Sequence, residues 1–307
     1  MSAHLPIGVF DSGVGGLTVL SALRTVLPHE NLLYLGDTAR LPYGTKSADT
    51  VVRYAVQAAG KLLEKRVKML VIACNTATAA ALDALRQSYP QVTVVGVIGP
   101  GAEAAVRASR TGHIAVIATE GTIKNGAYTT AIRALAPDSR VTGIPCPLFV
   151  SMAEEGWTGA SKADPETISG DTLLEGQILK AVAERYLRAT FFSPQGACAS
   201  ALPDAPSGMG PESRPDCLLL GCTHFPPLAP VIAEVVGPEV VLVDSAATTA
   251  TAVVDLLQKQ GIMRAPDAKD GGTWHFLTTD SPERFRRVGS LFLGTTLEES
   301  DVELVVL

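Results

Sequence analysis

The chain has 307 residues, 47% of them hydrophobic and 18% charged, enough apolar material for one large or two smaller α/β domains and far from the composition of a disordered chain. Lys and Arg number 25 against 31 Asp and Glu, and the net charge of −6 argues against a nucleic-acid partner or an anionic membrane surface. Five cysteines without a C-x-x-C pair fit neither a disulfide framework nor a zinc ribbon and suggest a reducing compartment; no apolar run of spanning length and no secretion signal are seen, so a cytoplasmic protein with no membrane partner is expected.

Short apolar runs recur along the chain: Ile7 to Phe10, Leu32 to Leu35, Met69 to Ala73, Val92 to Val97, Ile114 to Ala118, Val141 to Ile144, Cys217 to Leu220 and Val240 to Val243. Each is followed by a polar or glycine turn and then by a segment of helical character. Near-continuous apolar strands alternating with helices predict an α/β fold with doubly wound parallel sheets, whose ligands sit beyond the carboxyl ends of the strands. After Asp244-Ser245, a helix-like run from Ala246 to Gln260 leads to an apolar run Trp274 to Leu277, a helix near Glu283 to Leu291 and a last apolar run Val302 to Leu307.

The turns after the strands hold the unusual residues: Asp11-Ser12-Gly13-Val14-Gly15-Gly16, Cys74-Asn75-Thr76-Ala77-Thr78, Thr119-Glu120-Gly121-Thr122 and Cys222-Thr223-His224-Phe225-Pro226. The Cys74 and Cys222 segments resemble each other, as do, more loosely, the Asp11 and Thr119 segments. This weak duplication predicts two similar domains related by pseudo-twofold symmetry, with the active site in the cleft between them and one cysteine from each. The boundary is placed at Gly99-Pro100-Gly101, which gives a discontinuous first domain, 1–98 with 246–307, and a second domain, 99–245. A Ser-, Pro- and Gly-rich stretch at about 190–215 reads as a surface insertion.

Cys74 ends a strand and opens an Ala-rich helix, for which Asn75 or Thr76 is the expected cap. A helix dipole contributes about 0.3–1 kcal/mol, less than the roughly 2 kcal/mol needed to bring an ordinary thiol to half ionisation at neutral pH, so a buried inert cysteine is the competing reading. Cys222 has the same placement with His224 two residues on, an imidazole able to pass a proton to or from the thiol. Two such ligands make no metal site. The loop after Asp11 matches neither nucleotide fingerprint and suits a carboxylate better than a triphosphate. A cofactor-free pocket with two thiols suits inversion of a stereocentre, where one group removes a proton from Cα and another returns one on the opposite face.

The run Gly8-Val9-Phe10-Asp11-Ser12-Gly13-Val14-Gly15-Gly16-Leu17-Thr18-Val19-Leu20 resembles the N-terminal signature of the glutamate racemase family. The likeness continues through Leu41-Pro42-Tyr43-Gly44, Ala73-Cys74-Asn75-Thr76-Ala77-Thr78, Cys146-Pro147-Leu148-Phe149-Val150 and Gly221-Cys222-Thr223-His224-Phe225-Pro226. The resemblance implies a cofactor-independent racemase that makes D-glutamate for peptidoglycan, with Cys74 and Cys222 as the two bases. It implies supporting roles for Asp11, His224 and an acid at Glu154, with Glu155 as the competing choice. Substrate contacts carry over to Asp11, Ser12, Tyr43, Gly44, Asn75, Thr76, Thr223 and His224, and Thr119 is a further candidate. Glutamate is then the small-molecule partner, no metal or cofactor is required, and a homodimer is a candidate assembly. Ser151 stands where the family often has proline. Without the resemblance, three rivals stay open: a relative acting on aspartate, a hydantoin or a malonate, a non-catalytic amino-acid sensor, and a thiol hydrolase using one cysteine with His224.

Overall fold

The computed structural model describes residues 3–158, 170–191, 214–265 and 271–307. Of the stretch read as an insertion, residues 192–213 lie outside the described residues. The chain divides into two compact units, Met1–Pro100 with Ser245–Leu307, and Gly101–Asp244.

The strands, in chain order, are β1 (Ile7–Asp11), β2 (Leu32–Gly36), β3 (Met69–Ile72), β4 (Thr93–Gly96), β5 (His113–Ala118), β6 (Arg140–Pro145), β7 (Cys217–Gly221), β8 (Val241–Asp244), β9 (Trp274–Thr278) and β10 (Val302–Leu304). The helices are α1 (Leu17–Val26), α2 (Ala48–Glu64), α3 (Asn75–Ser88), α4 (Ile98–Ala108), α5 (Glu120–Asn125), α6 (Ala127–Leu135), α7 (Pro147–Glu154), α8 (Gly170–Phe191), α9 (Ala229–Val236), α10 (Ser245–Gln260) and α11 (Pro282–Leu293). All eight apolar runs before residue 245 are strands. Among the described residues no helix is long and apolar enough to cross a membrane.

Every strand pairing is parallel, in a first-unit sheet of order β10-β9-β2-β1-β3-β4 and a second-unit sheet of order β6-β5-β7-β8. The two-residue period of a strand sends alternate side chains to opposite faces. Phe10, Leu33, Leu35, Leu70 and Ile72 therefore share one face of the first sheet with the buried residues of α2 and α3, while Tyr34 and Phe276 meet Phe285 of α11 on the other. Val51, Ala55, Ala58, Ala59 and Leu62 of α2 are buried at helical spacing, so that helix keeps an apolar stripe on the sheet and its charges in water. The triplet Gly99-Pro100-Gly101, at the expected boundary, lies in the first turn of α4. Proline is tolerated there because the N–H it lacks would have no helical partner.

An ion pair closes the bottom of the first sheet, at the amino ends of its strands. Lys68 is fully buried, and its Nζ donates to Glu30 Oε2 at 2.5 Å, to the Ala3 carbonyl at 2.8 Å and to the Ile262 carbonyl at 2.9 Å. Glu30 Oε1 accepts from the Arg264 N–H at 2.8 Å. Burial lowers the pKa of the ammonium against the opposing pull of Glu30.

Candidate active site

In the first unit the chain runs from β1 to β2 on one side and then crosses to β3 on the other. The loops after β1 and β3 thus flank a topological switch point, where open α/β sheets bind ligands. Asp11 is the last residue of β1 and is buried; its Oδ2 accepts from the Gly13 N–H at 3.0 Å. Cys74 follows β3 and is itself the N-cap of α3, its Sγ accepting from the Ala77 N–H at 3.4 Å. This corrects the expectation that Asn75 or Thr76 caps the helix. Cys74 has extended backbone angles, φ −64° and ψ 118°, so helical geometry begins one residue earlier than a usual capping side chain would place it. The Cys74 thiol also lies 3.6 Å from Ser12 Oγ, and Asn75 and Thr76 are buried in the first turn of α3. Asp11, Ser12, Cys74, Asn75 and Thr76 are therefore gathered at one end of one sheet.

Tyr43 and Gly44 lie in a short 3-10 turn, Tyr43–Thr45. The Tyr43 hydroxyl donates to Asp37 Oδ2, a carboxylate that also accepts from Arg40 Nε at 2.7 Å and, at its other oxygen, from Thr279 Oγ1 at 2.9 Å. The backbone N–H of Asp37 donates to the Asp11 carbonyl at 3.0 Å. Burial, and then Asp37, raise the Tyr43 phenol well above its ordinary pKa, so it remains a donor. Sequence reasoning missed Asp37. Its only advance signal is an aspartate directly after an apolar strand, and its partners lie at positions 40, 43 and 279.

The second unit repeats the crossing: β5 leads to β6 on one side and β7 lies on the other. Thr119 follows β5 and caps α5, its Oγ1 accepting from the Thr122 N–H at 3.4 Å. Cys222 follows β7, and Cys222, Thr223 and His224 are all buried. Cys222 does not open a helix, contrary to the expected likeness with Cys74. Pro226 and Pro227 have no N–H to give to a helical ladder, and the chain makes a 3-10 turn at Pro226–Leu228 before α9 begins at Ala229.

His224 Nδ1 stands 3.9 Å from Cys222 Sγ, and Nε2 stands 3.1 Å from Oε1 of Glu154, the last residue of α7. Glu155 is the next residue and is exposed. Burial alone would lower the His224 pKa, but the bonds to Cys222 and Glu154 outweigh it and push it up to about 10. A raised histidine pKa stabilises the fold fully below the ordinary value of 6.5, and that contribution is lost as pH rises through about 10. Glu154→Gln removes one of the two supporting partners, so the His224 ring resonance in an NMR titration is expected to move at a lower pH than in the unsubstituted protein. An unchanged midpoint would contradict the assignment of Glu154 as its partner.

The other two described cysteines have different surroundings. Cys146 is fully buried after β6, donates to the Ile144 carbonyl at 3.5 Å, and burial raises its pKa far above the ordinary thiol value. Cys217 lies inside β7 and burial pushes it up to about 12. Both stay protonated at neutral pH. Each unit thus presents one cysteine at its switch point, and no group of three or more His, Cys, Asp or Glu suited to a metal ion occurs among the described residues.

Comparison with known proteins places this geometry in context. Residues 18–159 match the Asp/Glu/Hydantoin racemase family. The glutamate racemase of Geobacter metallireducens is 43% identical over 95% of this chain and 93% of its own. The chain belongs to the glutamate racemase family. As a member it is an isomerase, and solved structures from the family share its two parallel-sheet α/β units. The glutamate racemase of Francisella tularensis, crystallised in complex with D-glutamate, superposes with a TM-score of 0.80 at 32% identity, covering 99% of this chain and 98% of its own. That of Escherichia coli, in complex with L-glutamate and the activator UDP-MurNAc-Ala, gives a TM-score of 0.68 at 29% identity, covering 94% of this chain and 95% of its own.

Proposed function

We propose that this protein interconverts L- and D-glutamate without a cofactor, with Cys74 and Cys222 as the two proton-transfer groups, and that it supplies D-glutamate for peptidoglycan in the cytoplasm. The observation that carries the reading is the placement of one cysteine just beyond a strand that flanks the switch point of each sheet, Cys74 after β3 and Cys222 after β7. Relatives crystallised with D-glutamate and with L-glutamate support the substrate.

In each turnover one thiolate takes the Cα proton and becomes a thiol, leaving a carbanion whose electron pair is shared with the α-carboxylate. The other thiol gives its proton to the opposite face of Cα and becomes the thiolate. The next turnover in the same direction requires the two sulfurs to exchange protons with solvent and return to their starting states. Hydrogen-bond donors aimed at the α-carboxylate lower the barrier because they are in place before charge develops there. Backbone N–H groups of the Ser12–Gly16 loop and the side chains of Asn75, Thr76 and Thr223 are the donors assigned here, with Tyr43 and Gly44 completing the substrate contacts. Asp11 supports Cys74, and His224 with Glu154 supports Cys222. Asp11 is a poor companion for a thiolate, which makes the substrate's ammonium group the counter-charge on that side.

Purified protein incubated with L-glutamate in D2O, with nothing else added, is expected to lose circular dichroism to zero and to carry deuterium at Cα of the D-product. A steady signal would overturn the substrate, and a D-product retaining its original proton would overturn the use of two separate groups.

A further inference from the structure

Tyr34 lies in the middle of β2, is wholly buried, and has no part in the proton transfers described above. Its hydroxyl donates to the Gly13 carbonyl at 2.8 Å, and the N–H of the same glycine donates to Asp11 Oδ2. The residue between them is Ser12, whose hydroxyl is the neighbour of the Cys74 thiol. The fit is close: a Cβ at Gly16 would stand 2.9 Å from the Tyr34 oxygen and 2.4 Å from Asp11 Cβ, so the loop can lie on the phenol only with glycine there. Behind it, the Tyr34 ring rests 6.0 Å from Phe285 and 6.4 Å from Phe276, which are 6.3 Å from each other. Three rings at these separations are within the range of favourable aromatic packing. Burial, followed by the nearby Asp11 and Cys74, raises the Tyr34 pKa, so the hydroxyl keeps its proton and remains a donor.

We propose that Tyr34 is a positioning residue for the Cys74 half of the reaction: its hydroxyl pins the Asp11–Gly13 loop beside Cys74, and the C-terminal segment, through Phe276 and Phe285, pins Tyr34. The inference rests on the two-cysteine racemase reading. Its signature is directional. The equilibrium constant between enantiomers is one, so any variant lowers kcat/KM equally in both directions. A deuterium label at Cα reports only the step that removes it, because the proton returned comes from a thiol that has exchanged with solvent. Slowing transfers at Cys74 therefore raises the isotope effect for the enantiomer that Cys74 deprotonates and lowers it for the other.

The test uses the full chain with Tyr34→Phe, which keeps the ring and removes one hydroxyl, beside His224→Asn, which disturbs the Cys222 side. Primary deuterium isotope effects on kcat/KM are measured with 2-deuterated L- and D-glutamate. Tyr34→Phe is expected to lower kcat/KM about tenfold in both directions, in keeping with a buried carbonyl left without its donor, and to skew the two isotope effects in the sense opposite to His224→Asn. A merely structural role lowers the amount of active enzyme and moves neither isotope effect. Unskewed effects, or a skew in the same sense as His224→Asn, would overturn the proposal. Phe285→Leu, which leaves the hydroxyl and removes a ring packed on Tyr34, carries the same comparison where Tyr34→Phe does not fold. Absence of racemisation by the unsubstituted protein would instead refute the racemase reading itself.

Discussion

Alanine at either Cys74 or Cys222 is expected to lower racemisation of glutamate by about 10²–10⁴-fold, the range for loss of a general acid or base, while leaving one half of the chemistry behind. A protein with a single thiol at its switch points can still remove a Cα proton from the enantiomer presented to that thiol and return a solvent proton to the same face. Each variant should therefore exchange Cα hydrogen with D2O in one enantiomer without inverting it, and the two variants should choose opposite enantiomers. NMR detection of Cα deuteration in L- and D-glutamate, run separately, reads this directly. Exchange of the same enantiomer by both variants would refute the assignment of one face to each cysteine. The corresponding alanine variants at Cys146 and Cys217 are the contrast, since burial holds both as thiols inside the second unit.

Glu30→Ala is expected to cost the first unit about 3–5 kcal/mol, the range for removing one partner of a buried ion pair. The Lys68 ammonium would be left without a counter-charge, with the Ala3 and Ile262 carbonyls as its remaining partners, and the Arg264 N–H would lose its acceptor. Against a typical total of roughly 5–15 kcal/mol, such a loss brings the unit near unfolding. The double change Glu30→Leu with Lys68→Met should cost less than Glu30→Ala alone, because no uncompensated charge remains. Urea titrations of the variants, read by tryptophan fluorescence, decide the matter: Trp274 sits on β9 of the first unit, and a midpoint unaltered in Glu30→Ala would show the pair to be dispensable.

The strands were legible because parallel strands covered on both faces are apolar throughout; Leu32–Gly36 and Cys217–Gly221, for instance, are buried at every position. The candidate residues were legible to the extent that they sit at the carboxyl ends of those strands, as Asp11, Cys74, Thr119 and Cys222 do. Capping at Cys74 was not, because sulfur is a weak acceptor and cysteine is no usual cap; the bond from Ala77 depends on backbone angles that composition does not specify. The choice between Glu154 and Glu155 was beyond sequence reading because adjacent helical residues point about 100° apart, and only the position of His224 distinguishes them. Asp37 and Tyr34 escaped for a different reason: one partner of each, Thr279 and Phe285, stands more than two hundred positions away.

The place of β9 in the first sheet has a consequence for how the chain is made. Leu32 pairs with Trp274 and Gly36 with Thr278, so on a ribosome adding roughly 5–20 residues per second β2 waits on the order of 10–50 s for its neighbour. Throughout that interval an apolar strand, Leu-Leu-Tyr-Leu-Gly, has one flank open to any other nascent chain. A chaperone that shields this flank would matter most for messages that stall before Trp274. A strand made long afterwards is the one that covers the open flank of β2.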